Sequence, residues 1–160
     1  MIYKKIPLIN ISDYLTYIKN YYKGDFQFDI IRNGIVLIQV LGHQLKSDTP
    51  EIQVRNDYVI LTYFPKGISN SKKAEERLKL STKSKEFKLI SDKYKYKDYY
   101  IRINKNVKEL HKILKFLIEE IYKLESNQFY SVNFYKIKSE NEFEIVNHVK
   151  INRLKTFFRL

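Results

Sequence analysis

The stretch FQFDIIRNGIVLIQVL, residues 26–41, decides the fold. Phe26, Phe28 and Ile30 alternate with Gln27 and Asp29, which is the period-two pattern of a strand with one buried face. Asn33-Gly34 follows, the dipeptide that best tolerates the positive φ angles of a type I′ turn. Ile35 to Leu41 is almost wholly apolar and rich in β-branched residues, so it reads as a central strand. An antiparallel hairpin therefore lies at the heart of the molecule, and the remaining elements must be placed around a sheet.

Upstream, Ile11, Tyr14, Leu15, Ile18, Tyr21 and Tyr22 repeat at helical spacing behind a capping Ser12, and Gly24 stands where that helix would end. Downstream, a polar connection through Pro50 leads to Ile52–Arg55 and Tyr58–Phe64, one bent strand or two, stopped by Pro65-Lys66-Gly67. Ser69 to Leu80 reads as a short helix with a thin apolar stripe, weakly held or partly loop. Phe87–Ile90 and Tyr99–Ile103 read as short strands. Asn106 opens the longest helix, with Glu109 placed to complete a capping-box-like start. Val107, Leu110, Leu114, Leu117, Ile121 and Leu124 form its seam, widened by Ile113 and Ile118, with Phe116 and Tyr122 outside it. A helix so apolar around its girth is buried on more than one side, beneath another element or in an oligomer interface. Strands at Phe129–Ile137 and Phe143–Ile151 close the domain. The order α-β-β-β-α-β-β-α-β-β predicts a single α+β domain over residues 1–151: a mainly antiparallel sheet of hairpins packed by two or three helices. Residues 152–160 form a short basic, aromatic C-terminal tail.

Composition narrows the function classes. A chain of 160 residues buries about 70% of its unfolded surface and needs no disulfide or metal to fold. Hydrophobic content of 44% argues against disorder despite a formal charge of +12. Without cysteine there is no thiol catalysis, disulfide frame or cysteine-ligated zinc. The four glycines lie too far apart for GxGxxG or a Walker A loop. No apolar run reaches the roughly 20 residues of a membrane helix. Pro7, Asn10 and Asp13 break any secretory core behind Lys4 and Lys5, so a cytoplasmic protein is expected.

The charge is localised. Residues 66–102 hold twelve Lys/Arg against five Asp/Glu, and residues 146–160 hold four against none, while the rest is nearly neutral. Such asymmetry points to a polyanion partner. Lysine's dominance over arginine, with a single alanine, is also the mark of an AT-rich genome, which raises basicity without selection for a ligand.

Within the basic segment, Lys93-Tyr94-Lys95-Tyr96-Lys97 interleaves rings that stack on bases with ammoniums that neutralise phosphates. Period-two alternation would send the tyrosines and lysines of one strand to opposite faces, where edge lysines also guard against aggregation. Lys72, Lys73, Arg77, Lys83, Lys85 and Arg102 complete the candidate nucleic-acid surface, with Lys66, Lys79 and Lys88 adding charge. No zinc finger, RNP motif or KH loop is present, so contacts would be mostly to the backbone. The alternative is a protein–protein interaction module, an adaptor, inhibitor or small subunit, docking through helix 107–124 and exposed tyrosines. Phe116, Tyr122, Phe157 and Phe158 are its candidate interface residues, and a homo-oligomer is one form it could take. The third reading is a metal-dependent hydrolase recruiting Asp29, Asp48 or Glu51. It lacks the Glu-x-Lys signature, and His43, His111 and His148 are isolated from any HExxH-type spacing. No cofactor or metal site is expected. The sequence thus favours a non-catalytic nucleic-acid-binding protein.

Overall fold

Asn33 and Gly34 adopt φ of 50° and 74°, the left-handed pair that a type I′ turn requires. They join β1 (Phe26–Arg32) to β2 (Ile35–Leu41) in an antiparallel hairpin. The computed structural model describes residues 11–20, 26–42, 57–92, 95–123, 130–139 and 142–151. Around the hairpin lie α1 (Ile11–Asn20), β3 (Asp57–Pro65), α2 (Ser69–Leu80), β4 (Lys88–Ser91), β5 (Tyr96–Asn104), α3 (Val107–Lys115), β6 (Tyr130–Ser139) and β7 (Glu142–Ile151). This is the α+β architecture that the hairpin pattern implies. Among the described residues, seven strands form one sheet in the order β4-β5-β3-β2-β1-β6-β7, with every pairing antiparallel. No helix among the described residues is long and apolar enough to cross a membrane.

Helices α1, α2 and α3 cover one face of the sheet. Phe26, Phe28 and Ile30 of β1, Tyr58, Ile60 and Phe64 of β3, and Val132 and Phe134 of β6 point into this core and meet Tyr14 and Leu15 of α1 and Leu110, Leu114 and Leu117 from the third helix. Gly42 lies where β2 ends, its N–H bonded to the Phe26 carbonyl at 2.9 Å. A side chain there would collide with the Phe26 ring, so the aromatic packing depends on a residue without Cβ. On the opposite face, Leu41, Val59, Leu61 and Tyr100 form a smaller buried cluster.

Two helices differ from their sequence reading. The stripe of α2 is not weak: Ser71, Ala74, Glu75 and Leu78 are all buried. They stand at i, i+3, i+4 and i+7, so a serine and a glutamate supply two positions that an apolar count overlooks. The long helix is also not a regular α-helix beyond Lys115. After α3 it continues as a π-helical segment, Phe116–Ile121, ending with Lys123 at a φ of 48°. The wider turn bonds the Tyr122 N–H to the Leu117 carbonyl at 2.8 Å, an i→i+5 link. It rotates the residues that follow, so that Tyr122 lies inside the core with Leu117, Ile118 and Ile121; Phe116, ahead of the wide turn, is buried there too. The seam therefore packs against the sheet, with α1 and α2 beside it.

Tyr122 closes a gap in the sheet. The β2–β3 ladder stops at the pair Ile38–Thr62, and Leu37 is the extra residue of a bulge against β1. The Tyr122 hydroxyl lies 3.0 Å from the Leu37 carbonyl, 2.9 Å from the Tyr63 carbonyl and 2.5 Å from Thr62 Oγ1. It serves backbone acceptors at the point where the two strands diverge. Burial holds this phenol far above its ordinary range, against the Thr62 and Tyr63 hydrogen bonds.

Candidate functional site

One side of α2, along its length, gathers several basic side chains. Gly67, at a φ of 80°, turns the chain out of β3 toward the helix. Ile68 occupies the N-cap and provides no side-chain hydrogen bond, and the first turn holds no acidic residue. The leading N–H groups of α2 therefore keep their positive end uncompensated by a cap or a carboxylate of the helix itself. Beside it, between α2 and the β3–β5 ladder, is a cleft of about 270 Å³ into which Lys66, Lys72, Lys79 and Lys97 converge, with Ser71 and Glu75 in its wall.

Glu75 organises that cleft. It accepts a 2.7 Å hydrogen bond from the Tyr99 hydroxyl and pairs with Lys79 at 2.9 Å and Lys97 at 3.4 Å. Burial works against its charge, but the Tyr99 hydrogen bond and the two ammoniums prevail and hold the carboxyl below its ordinary range. Asp92 plays a similar part at the rim, 2.6 Å from Lys66 and 3.9 Å from Lys97. The Lys66 hydrogen bond is the main influence lowering its pKa.

The structure divides the sequence-predicted surface. Lys72 and Lys73 are exposed on α2 and pair with no carboxylate among the described residues. Lys85 and Lys95 are exposed as well. Arg77 is a structural bolt, its Nε donating to the Ile121 carbonyl at 2.7 Å, and Lys83 stands 3.9 Å from Glu86. Lys97 faces the helices, whereas its neighbour Tyr96 lies on the opposite face, as strand alternation requires. Arg102 also lies on that opposite face, 2.9 Å from Asp57. Lys93, Tyr94, Phe157 and Phe158 lie outside the described residues, as do Asp48, Glu51 and the C-terminal tail. The structure places Phe116 and Tyr122 in the core, at 7% and 9% exposure, where a partner would not reach them.

Tyr96 has acidic company rather than basic. It lines a groove of about 310 Å³ with Gln39, Tyr63 and Asp98. Asp98 Oδ1 is buried without a hydrogen-bond partner among the described residues, and burial raises its pKa. Tyr63 donates to Gln39 at 3.0 Å, and Gln39 in turn donates to Asp29 at 3.0 Å, with Gln27 adding a 3.1 Å bond. Asp29 is thereby caged by amides on the face away from the helices. Burial raises its pKa while the two glutamines pull it down. Among the described residues, no three His, Cys, Asp or Glu side chains gather as a metal site would require.

Sequence reasoning counted Lys66 and Lys79 only as added charge around the surface and gave no role to Ser71. The one available signal was a glycine followed by a helix start with no capping residue at Ile68. Compared with known proteins, the chain matches no family model, no curated protein sequence and no solved structure.

Proposed function

We propose that this is a non-catalytic nucleic-acid-binding protein that holds the phosphate backbone along the α2 face, with weak sequence preference. The observation that carries the reading is the convergence of Lys66, Lys72, Lys79 and Lys97 on one cleft, with Lys73 exposed elsewhere on the same helix. Lys66 is held by Asp92, and Lys79 and Lys97 share Glu75, so the phosphate contacts fall chiefly to Lys72 and Lys73. Tyr96, on the other face beside Asp98, takes no part in this mode.

The test is fluorescence anisotropy of a labelled single-stranded oligonucleotide across a salt series. The parent protein binds at low salt and weakens steeply as salt rises. In the Lys72→Gln/Lys73→Gln double variant, the slope of log K against log salt shrinks by about 1.4, two contacts at about 0.7 each. Tyr96→Ala leaves the curve unchanged. An unaltered slope in the double variant would remove α2 from the site.

A protein partner remains the second reading, favoured by one observation. Leu80 at the end of α2 is 88% exposed, and Leu89 on the terminal strand β4 is 52% exposed. A docking partner would therefore meet the β4 edge rather than the third helix.

A further inference from the structure

On the other side of the α2 start, a second cleft of about 170 Å³ opens toward the β1–β2 turn. Arg32 and Asn33 of that turn face Asn70 and Ser71 of the first helical turn across it, and none of its lining side chains is a carboxylate. Ser71 is only 8% exposed, and its hydroxyl has no hydrogen-bond partner among the described residues. A buried hydroxyl without a partner is costly unless a ligand or water completes it. Ser71 stands in the wall between the lysine-lined cleft and this one, which also has a guanidinium and an uncapped helix start.

We propose that this second cleft is a seat for a phosphate monoester. The N–H groups at the start of α2 donate to its oxygens, the Ser71 hydroxyl donates from the buried wall, and Arg32 supplies the charge from the hairpin. The inference goes beyond the nucleic-acid reading, because it uses different side chains and requires only the phosphate group. A compact dianion suits this cleft better than the lysine-lined one, whose wall contains Glu75 and Glu76.

The test is a titration of the full chain with inorganic phosphate, followed by backbone amide NMR and compared with sodium chloride at matched ionic strength. Saturable shifts at Ser69, Asn70 and Ser71 are expected with phosphate alone. Arg32→Gln weakens the phosphate affinity about tenfold or more, as loss of a charge-assisted contact should. Ile68→Asp installs a carboxylate cap on the same N–H groups, so it abolishes phosphate binding while leaving the melting temperature at or above the parent's. That second variant separates loss of the seat from loss of the fold. Identical responses to phosphate and chloride, or parent-like titrations of both variants, would overturn the proposal. A second arm compares oligonucleotides with 5′-phosphate and 5′-hydroxyl ends. A 5′-phosphate preference that disappears in Arg32→Gln assigns the seat to a nucleic-acid terminus. Equal oligonucleotide binding, with inorganic phosphate still bound, assigns it to a small phosphomonoester.

Discussion

Removing one oxygen atom at Tyr122 should cost the domain far more than its size suggests. The hydroxyl is buried among the Leu37 and Tyr63 carbonyls and Thr62 Oγ1, at 3.0, 2.9 and 2.5 Å. It has one proton to give and three neighbours, so it donates to one carbonyl while accepting from Thr62. In Tyr122→Phe, Thr62 can turn only to the Leu37 carbonyl, already at 3.4 Å, and the Tyr63 carbonyl loses its phenol donor. Leaving a buried acceptor unsatisfied costs about 1–3 kcal/mol, so about 2 kcal/mol is expected. For a domain of this size each kcal/mol lowers Tm by roughly 2–4 °C, giving a fall of about 4–8 °C. The assay is thermal and urea unfolding at neutral pH, with the urea m value unchanged because the exposed surface hardly differs. Thr62→Val and the double variant complete a cycle, which should show coupling because the two hydroxyls share one bond. A Tm within about a degree of the parent's, or additivity of the two variants, would refute the view that this hydroxyl joins the diverging strands.

Two other perturbations follow from the geometry. Asn106→Ala removes the side chain that accepts from the Lys108 and Glu109 N–H groups at 2.9 and 3.4 Å; denaturant melts should show a loss of about 1 kcal/mol, and no loss would mean that water caps α3 equally well. Glu75 has a folded pKa below its ordinary value, so its stabilisation is complete above that ordinary value and disappears as pH falls through the folded one. Glu75→Gln should therefore be less stable than the parent at neutral pH, by about 1–3 kcal/mol for lost charge-assisted bonds, and the gap should close in acid; a gap independent of pH would contradict the role given to its charge.

The hairpin was legible because its turn chemistry and its two hydrophobic periods agree, Asn33-Gly34 falling where the alternation of β1 gives way to the continuous run of β2. Asn106 was equally readable, since a cap works through its own helix and needs no tertiary knowledge. Tyr122 was not. A seam drawn at 3.6 residues per turn leaves it outside, and nothing in residues 116–121 announces the wider π turn that brings it in. The strand alternation that puts Tyr96 and Lys97 on opposite faces was visible, but the groove that Tyr96 shares with Asp98 and Gln39 was not. Asp98 and Gln39 come together through the sheet order β5-β3-β2, across strands that sequence adjacency does not reveal. Arg32 and Ser71 meet for a similar reason: one belongs to the first hairpin and the other to a helix that begins after β3. Charge counting located residues 66–102, but not which lysines Glu75 and Asp92 would occupy.

The β1–β6 seam has a consequence for how the chain is made. β1 ends at Arg32, and the strand that pairs with it along Phe26–Lys136 to Ile31–Ser131 begins only at Tyr130. Phe134 completes an aromatic stack with Phe26 and Tyr14, at centroid distances of 5.8 and 5.6 Å. During synthesis, therefore, β1 can form its local hairpin early but must wait until β6, which begins at Tyr130, has been made before its other edge is covered. Pairing across such a sequence distance carries a large loop-closure cost and slows folding. Until then the nascent protein presents an open edge flanked by aromatic side chains, the kind of surface on which unfinished chains associate. The β6–β7 hairpin is thus the element whose arrival ends that exposure.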